Sequence, residues 1–155
     1  MIAGCQTAGQ RISAIYGGAA AMAVLAAPEK AEAWRTTAPF ALKGEKEGQA
    51  KLQDYLVLRG PVAVDTEVAD EMAAILRRDI YEWDVAKGCE PIPGVAVRFV
   101  RGTDEVLVFF CFECDILLTY FNGQRVGGED FDRAHRVLAN LARRIFPDDP
   151  EIKKL

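Results

Sequence analysis

The stretch Val106-Leu-Val-Phe-Phe-Cys-Phe-Glu-Cys-Asp-Ile-Leu-Leu-Thr-Tyr-Phe121 is the most apolar run of the chain, and it decides how the sheet is built. Its β-branched and aromatic residues favour extended backbone. A single strand of this length would span ~53 Å, whereas most strands hold about 5–6 residues. We therefore expect the run to bend, bulge or break, and the predicted place for a bulge or bend is Phe112-Glu113.

Turn signals on both sides of the run predict an antiparallel arrangement. Gly102-Thr103-Asp104 separates it from the alternating stretch 95–101, which indicates a hairpin. Asn122-Gly123 follows the run, and this dipeptide tolerates the positive φ of a tight turn. Residues 31–37 and 54–59 have strand-like alternation further upstream.

Two segments have helical periodicity. Asp65-Thr66-Glu67 predicts a helix start, because Asp or Thr caps free amides and Glu67 suits the positive end of the helix. A last helix is expected to begin near Glu129-Asp130 and to end at Phe146-Pro147. The apolar stripes are Val68, Met72, Ile75 and Leu76 in the first helix, and Phe131, Ala134, Leu138, Leu141 and Ile145 in the second. This order predicts an α+β fold, an antiparallel sheet of hairpins or a meander with helices packed on one face.

Residues 1–30 are expected to form an N-terminal anchor or helical segment, and residues 31–155 a single α+β domain. The apolar stretch 12–27 is shorter than the ~20 residues that a bilayer requires. The favoured interpretation is a helix that packs on the domain, with Gly17-Gly18 as a soft point. A secretory signal is the alternative, because Ala31-Glu32-Ala33 has the A-x-A cleavage pattern. The residues expected to pack are Ile12, Ile15, Met22 and Leu25.

Ile2-Ala3-Gly4-Cys5 resembles the lipobox of bacterial lipoproteins, in which small residues precede a lipidated cysteine. The resemblance covers four residues and departs from the family pattern, since no basic or apolar region precedes Cys5. It implies lipidation at Cys5 and a location in the bacterial cell envelope, on its periplasmic face. Membrane attachment is then expected only through that lipid. The alternative is a cytoplasmic protein.

Composition and motifs exclude several functions. The net charge is −4, with 19 basic and 23 acidic residues, so the broad positive field needed to bind nucleic acid is missing. Ser13 and His135 are the single serine and the single histidine, and no hydrolase, P-loop or dinucleotide motif is present. We therefore predict no catalytic residues.

Three cysteines are the candidate residues for a disulfide, a redox motif or a metal site. Cys111 and Cys114 point to opposite faces of an unbroken strand, because their separation is odd, and can meet only if the backbone breaks between them. Cys89 lies in the preceding Pro- and Gly-rich loop and is free to reach one of them. Four interpretations stay open: a disulfide from Cys89 to Cys111 or Cys114, buried free thiols, a redox-active C-x-x-C, or a zinc site of Cys89, Cys111, Cys114 and His135.

These observations favour a non-catalytic cell-envelope protein that acts as a binding or accessory subunit of a larger assembly. A protein partner is expected, and neither a cofactor nor nucleic acid. The alternative is a thiol-based metal-binding or redox protein that uses Cys89, Cys111 and Cys114, with zinc as the metal.

Overall fold

The computed structural model describes residues 5–44 and 47–155. Its helices and strands follow the chain in the order α1 (Ala8–Tyr16), α2 (Ala19–Ala26), β1 (Lys30–Thr37), β2 (Lys51–Leu52), β3 (Tyr55–Ala63), α3 (Thr66–Leu76), β4 (Val95–Arg101), β5 (Asp104–Cys111), β6 (Ile116–Phe121), β7 (Gln124–Asp130) and α4 (His135–Ile145). Short 3-10 helices precede and follow α4 at Asp132–Ala134 and Ile152–Lys154.

Within the described ranges, seven strands form one antiparallel sheet in the order β2-β3-β1-β4-β5-β6-β7. Strands β4 to β7 are neighbours both in sequence and in space, so they form a meander. The buried residues of all four α-helices belong to one apolar cluster with one face of the sheet. The predicted α+β class, an antiparallel sheet with helices on one face, is confirmed.

The 106–121 run breaks into two strands. Strands β5 and β6 pair through Phe110↔Leu117 and Cys111↔Ile116, and residues 112–115 form the turn between them. Asp115 has the positive φ of 53° that this tight reversal requires. The expected break near Phe112-Glu113 is confirmed, but it is a chain reversal and not a bulge within one strand, because each half of the run pairs with the other half.

Helices α1 and α2 pack against the sheet. Gly17, with φ at 101°, separates them. Ile12 and Leu25 are buried, and Ile15 and Met22 pack partly buried against the same cluster, as the periodicity predicts. The approach of α1 to the edge strand β7 is close. A β-carbon at Gly127 would lie 2.6 Å from the carbonyl oxygen of Ile15, so a residue without a side chain is required there.

Helix α4 begins later than the sequence suggests. Residues 124–130, partly expected in the helix, instead pair with β6 as β7, and the α-helix starts at His135. The predicted apolar face of this segment is nevertheless present, since Phe131, Ala134, Leu138 and Leu141 are all buried. Pairing with β6 prevails over the weak strand propensity of Gly127-Gly128.

The other face of the sheet, called the open face below, has a smaller apolar cluster of its own: Trp34, Ala96, Leu107, Phe109, Leu118 and Tyr120. The ring of Tyr55 on β3 lies 4.7 Å from the ring of Phe109 on β5, although β1 and β4 separate these strands. Three strand spacings amount to ~14 Å in a flat sheet. The sheet therefore curls toward its open face and brings β3 near β5 and β6.

Candidate functional site

Cys89 and Cys114 form a disulfide, with their Cα atoms 6.2 Å apart. Cys89 belongs to the segment 82–94 before β4, called the braced loop below, and Cys114 lies in the β5–β6 turn. The turn frees Cys114 from the alternation of the strand, whereas Cys111 stays in β5. The predicted disulfide is confirmed, and its partner is Cys114.

Lys87 holds the braced loop at a second point. Its Nζ atom lies 2.6 Å from the carbonyl oxygen of Cys114, 2.6 Å from Asp130 Oδ2 and 2.8 Å from Asp132 Oδ2. The side chain of Asp130 is only 3% exposed, so Lys87 supplies the opposite charge that a buried carboxylate needs. The loop is thus held covalently at Cys89 and ionically at Lys87, two residues apart.

The pKa values of Lys87, Asp130 and Asp132 are all shifted. Burial and the adjacent carboxyl of Asp132 raise the pKa of Asp130, while Asp130 and Lys87 lower the pKa of Asp132 to about 2. Burial acts to lower the pKa of Lys87, but the two aspartates outweigh it and raise the value. The ammonium is therefore held in its charged form between two carboxyl groups, of which Asp132 loses its proton more readily than Asp130.

His135 is the first residue of α4, and its Nδ1 atom lies 2.5 Å from Asp115 Oδ1. Burial raises the pKa of this aspartate, with His135 acting in the opposite direction. Because Asp115 directly follows Cys114, the pair fastens the start of α4 to the β5–β6 turn. Sequence reasoning did not bring these two residues together.

The four residues of the predicted zinc site are distributed differently. Cys89 and Cys114 are bonded to each other, and Cys111 is a buried free thiol on the open face. His135 is paired with Asp115. Across residues 5–44 and 47–155, no group of three or more His, Cys, Asp or Glu side chains is arranged to hold a metal ion.

Cys5 is exposed and lies two residues before Thr7, which caps α1. The rest of the lipobox-like motif, residues 2–4, lies outside the described residues. In the part of the chain that the structure describes, no helix combines the length and apolarity that a membrane span needs.

Two adjoining cavities, of about 280 and 490 Å³, form a groove on the open face, called the open-face groove below. Both are lined by Pro91, Leu118 and Arg125, so they are continuous at these residues. The braced loop forms one wall with Val85, Lys87, Glu90 and Pro91, and the floor comes from β6 and β7.

Asp54, Tyr55 and Arg125 line the larger cavity, and together with the adjacent, buried Tyr120 we call them the mixed-charge cluster. Tyr120 and Arg125 are paired across β6 and β7, while Asp54 and Tyr55 come from the β2–β3 turn. Burial raises the pKa of both tyrosines; the Arg125 charge opposes this shift, and the Asp54 charge adds to it. Both charges therefore lie within electrostatic reach of both hydroxyl groups.

The sequence contained weak signals for these residues. Lys87 stands two positions before Cys89, and Asp130 and Asp132 stand two positions apart after the meander. The mixed-charge cluster had no such signal, because its halves are more than 60 residues apart and meet only through the curl of the sheet.

Comparison of the chain with protein-family models, with curated proteins and with solved structures finds no match.

Proposed function

We propose that this chain is a non-catalytic binding protein of the bacterial cell envelope, an accessory subunit that holds its ligand or partner in the open-face groove. The observation that carries the proposal is the Cys89–Cys114 disulfide, which fixes the braced loop as a wall of that groove.

The disulfide supports an envelope location. Such bonds form and persist in oxidising compartments such as the bacterial periplasm and are rare where glutathione and thioredoxin keep thiols reduced. Cys89 is exposed, so this bond is open to reductants in solution. An exposed Cys5 near the start of the chain is compatible with lipid attachment outside the folded core.

The groove supports a binding role. Because the braced loop is already fixed, it loses less conformational entropy when a ligand binds, and such preorganisation favours affinity. Phe40 and Val85, 58% and 51% exposed, border the two cavities and offer apolar surface to a protein partner. Apolar side chains at the mouth of a polar-rimmed groove are typical of interaction surfaces.

The thiol state of the protein in its own compartment tests this proposal. The full chain, expressed in a bacterium, is alkylated under denaturing conditions without reductant and its intact mass is measured. We expect a disulfide and at most two alkylated thiols, Cys5 and Cys111, in the envelope fraction. Four alkylated thiols in a cytoplasmic fraction would overturn the proposal.

Lipid labelling tests the anchor separately. Metabolic labelling with a fatty acid is expected to mark the wild-type chain and not Cys5→Ala, because the lipid is attached through that sulfur. Cys111→Ala is the matched control and keeps the label, since its thiol is buried. Labelling that is unchanged in Cys5→Ala would refute the proposed attachment of a lipid to Cys5.

A further inference from the structure

We propose that the larger cavity of the open-face groove binds a small zwitterion with an apolar side chain, either a free α-amino acid or a short peptide. The inference rests on the proposed binding function and names the chemistry of the ligand. It follows from the four side chains of the mixed-charge cluster and from the apolar residues that surround them.

The polar groups of this cavity are available to a ligand. Among the residues that the structure describes, none of Asp54, Tyr55, Tyr120 and Arg125 makes a side-chain hydrogen bond or ion pair. The charged groups of the neighbouring cavity differ, because Lys87 is already held in ion pairs with Asp130 and Asp132. A ligand that enters the groove therefore finds its free polar partners at the mixed-charge cluster.

The charged side chains that line the cavity are complementary to a zwitterion. A carboxylate fits the donors that line the cavity, which are the Arg125 guanidinium and the Tyr55 hydroxyl group. An ammonium fits the acceptors, which are the carboxylates of Asp54 and of Glu90 on the braced loop. An anion alone would meet those carboxylates, and a cation alone would meet Arg125. Only a ligand with both charges is complementary to Arg125 and to the two carboxylates together.

The remaining lining suits an apolar side chain. Pro39, Phe40, Pro91 and Leu118 line the same cavity, and Phe40 is 58% exposed at its edge. The cavity volume of about 490 Å³ lies in the range of roughly 300–1,000 Å³ that is typical of small-molecule sites. A leucine side chain would cover part of Phe40 while its charged end reaches the cluster.

Isothermal titration calorimetry on the full, disulfide-bonded chain tests the inference with four probes: leucine, the dipeptide Leu-Leu, N-acetylleucine and leucine amide. The two capped probes each lack one charge. We expect leucine or Leu-Leu to bind about tenfold more tightly than either capped probe, because each cap removes one charge-assisted contact. The ratio of leucine to Leu-Leu distinguishes a free amino acid from a peptide as the ligand.

Two variants locate the contacts. Arg125→Gln should weaken leucine binding about tenfold and leave leucine amide unaffected, and Asp54→Asn should weaken leucine binding without affecting N-acetylleucine. Arg77→Gln is the matched control: this exposed arginine ends α3 on the helix-covered side of the sheet and should bind leucine as the wild type does.

The outcomes separate this inference from the proposed function. The proposal that the cavity binds a zwitterion is overturned if neither leucine nor Leu-Leu binds saturably, or if capped and uncapped probes bind equally. Either result leaves the disulfide test of the proposed function unaffected. Equal weakening by Arg125→Gln and Arg77→Gln also overturns it, because the contact would then not be local. A missing disulfide in the envelope fraction overturns the proposed function instead.

Discussion

Removal of the Cys89–Cys114 disulfide is the perturbation whose magnitude follows most directly from the structure. The bond closes a segment with a sequence separation of 25. In the chain-entropy model, a loop of this length restricts the unfolded state by about 3.5 kcal/mol at 25 °C. Lys87 still ties the loop to the carbonyl of Cys114 and to Asp130 after the bond is removed, so the folded state keeps much of its order.

We therefore expect Cys89→Ala/Cys114→Ala to lower the free energy of unfolding by about 3.5 kcal/mol. For a chain of this length, that loss corresponds to a fall in Tm of about 10 °C. The assay is urea unfolding followed by circular dichroism, with and without dithiothreitol. Reductant should move the wild type to the midpoint of the double variant and leave the variant unchanged.

Cys111→Ala is the matched control. It removes one buried sulfur without changing any crosslink, so we expect a loss of roughly 1 kcal/mol, as for one methyl-sized group, and an undiminished response to dithiothreitol. A double variant that loses less than about 1 kcal/mol would refute the reasoning. So would a wild type that does not respond to reductant while it carries the bond.

Two further predictions concern ionic contacts. Lys87→Met should lower the free energy of unfolding by about 3 kcal/mol at pH 7, because Asp130 is left as an unpaired buried carboxylate; the loss should shrink in acid as Asp130, whose pKa is raised by burial, takes up a proton. Lys154→Met, which breaks an exposed pair, should change it by less than about 0.5 kcal/mol in the same urea titration. Asp149→Asn should cost about 2 kcal/mol at pH 7, since Arg35 and backbone amides lower the pKa of Asp149 against the opposing effect of burial. Because the pKa of Asp149 is lower in the folded than in the unfolded chain, its carboxylate stabilises the fold above the ordinary aspartate pKa of about 4, and this stabilisation is lost as the pH falls through the folded-state pKa. Asp149→Asn should therefore make the free energy of unfolding fall less steeply in acid. An unchanged fall in acid would contradict this assignment.

The local features of the fold were predictable because they depend on neighbours in sequence. The hairpin predicted on either side of Gly102 and the apolar stripe predicted for α3 are both confirmed. The excess length of the 106–121 run also indicated a break. Whether that break is a bulge or a reversal depends on which segments pair, and local periodicity does not contain that information.

The candidate site was predictable only in part. A disulfide from Cys89 was one of the open interpretations, but the choice of Cys114 over Cys111 follows from the turn that removes Cys114 from the strand. The contacts of Lys87 and His135 join positions far apart in sequence, and local spacing in the chain does not show which residues they pair with.

The amino-acid sequence by itself determined that this chain forms an α+β domain, which residues face its core, and that a cysteine in the loop before β4 has a partner within reach. Only the tertiary structure decided which partner that is, that residues 124–130 are an edge strand, and that Asp54, Tyr55 and Arg125 line one cavity. The physical reason is the range of the interactions. Periodicity, capping and turn propensity act over a few residues, whereas strand register and the curl of the sheet are collective properties of seven paired strands.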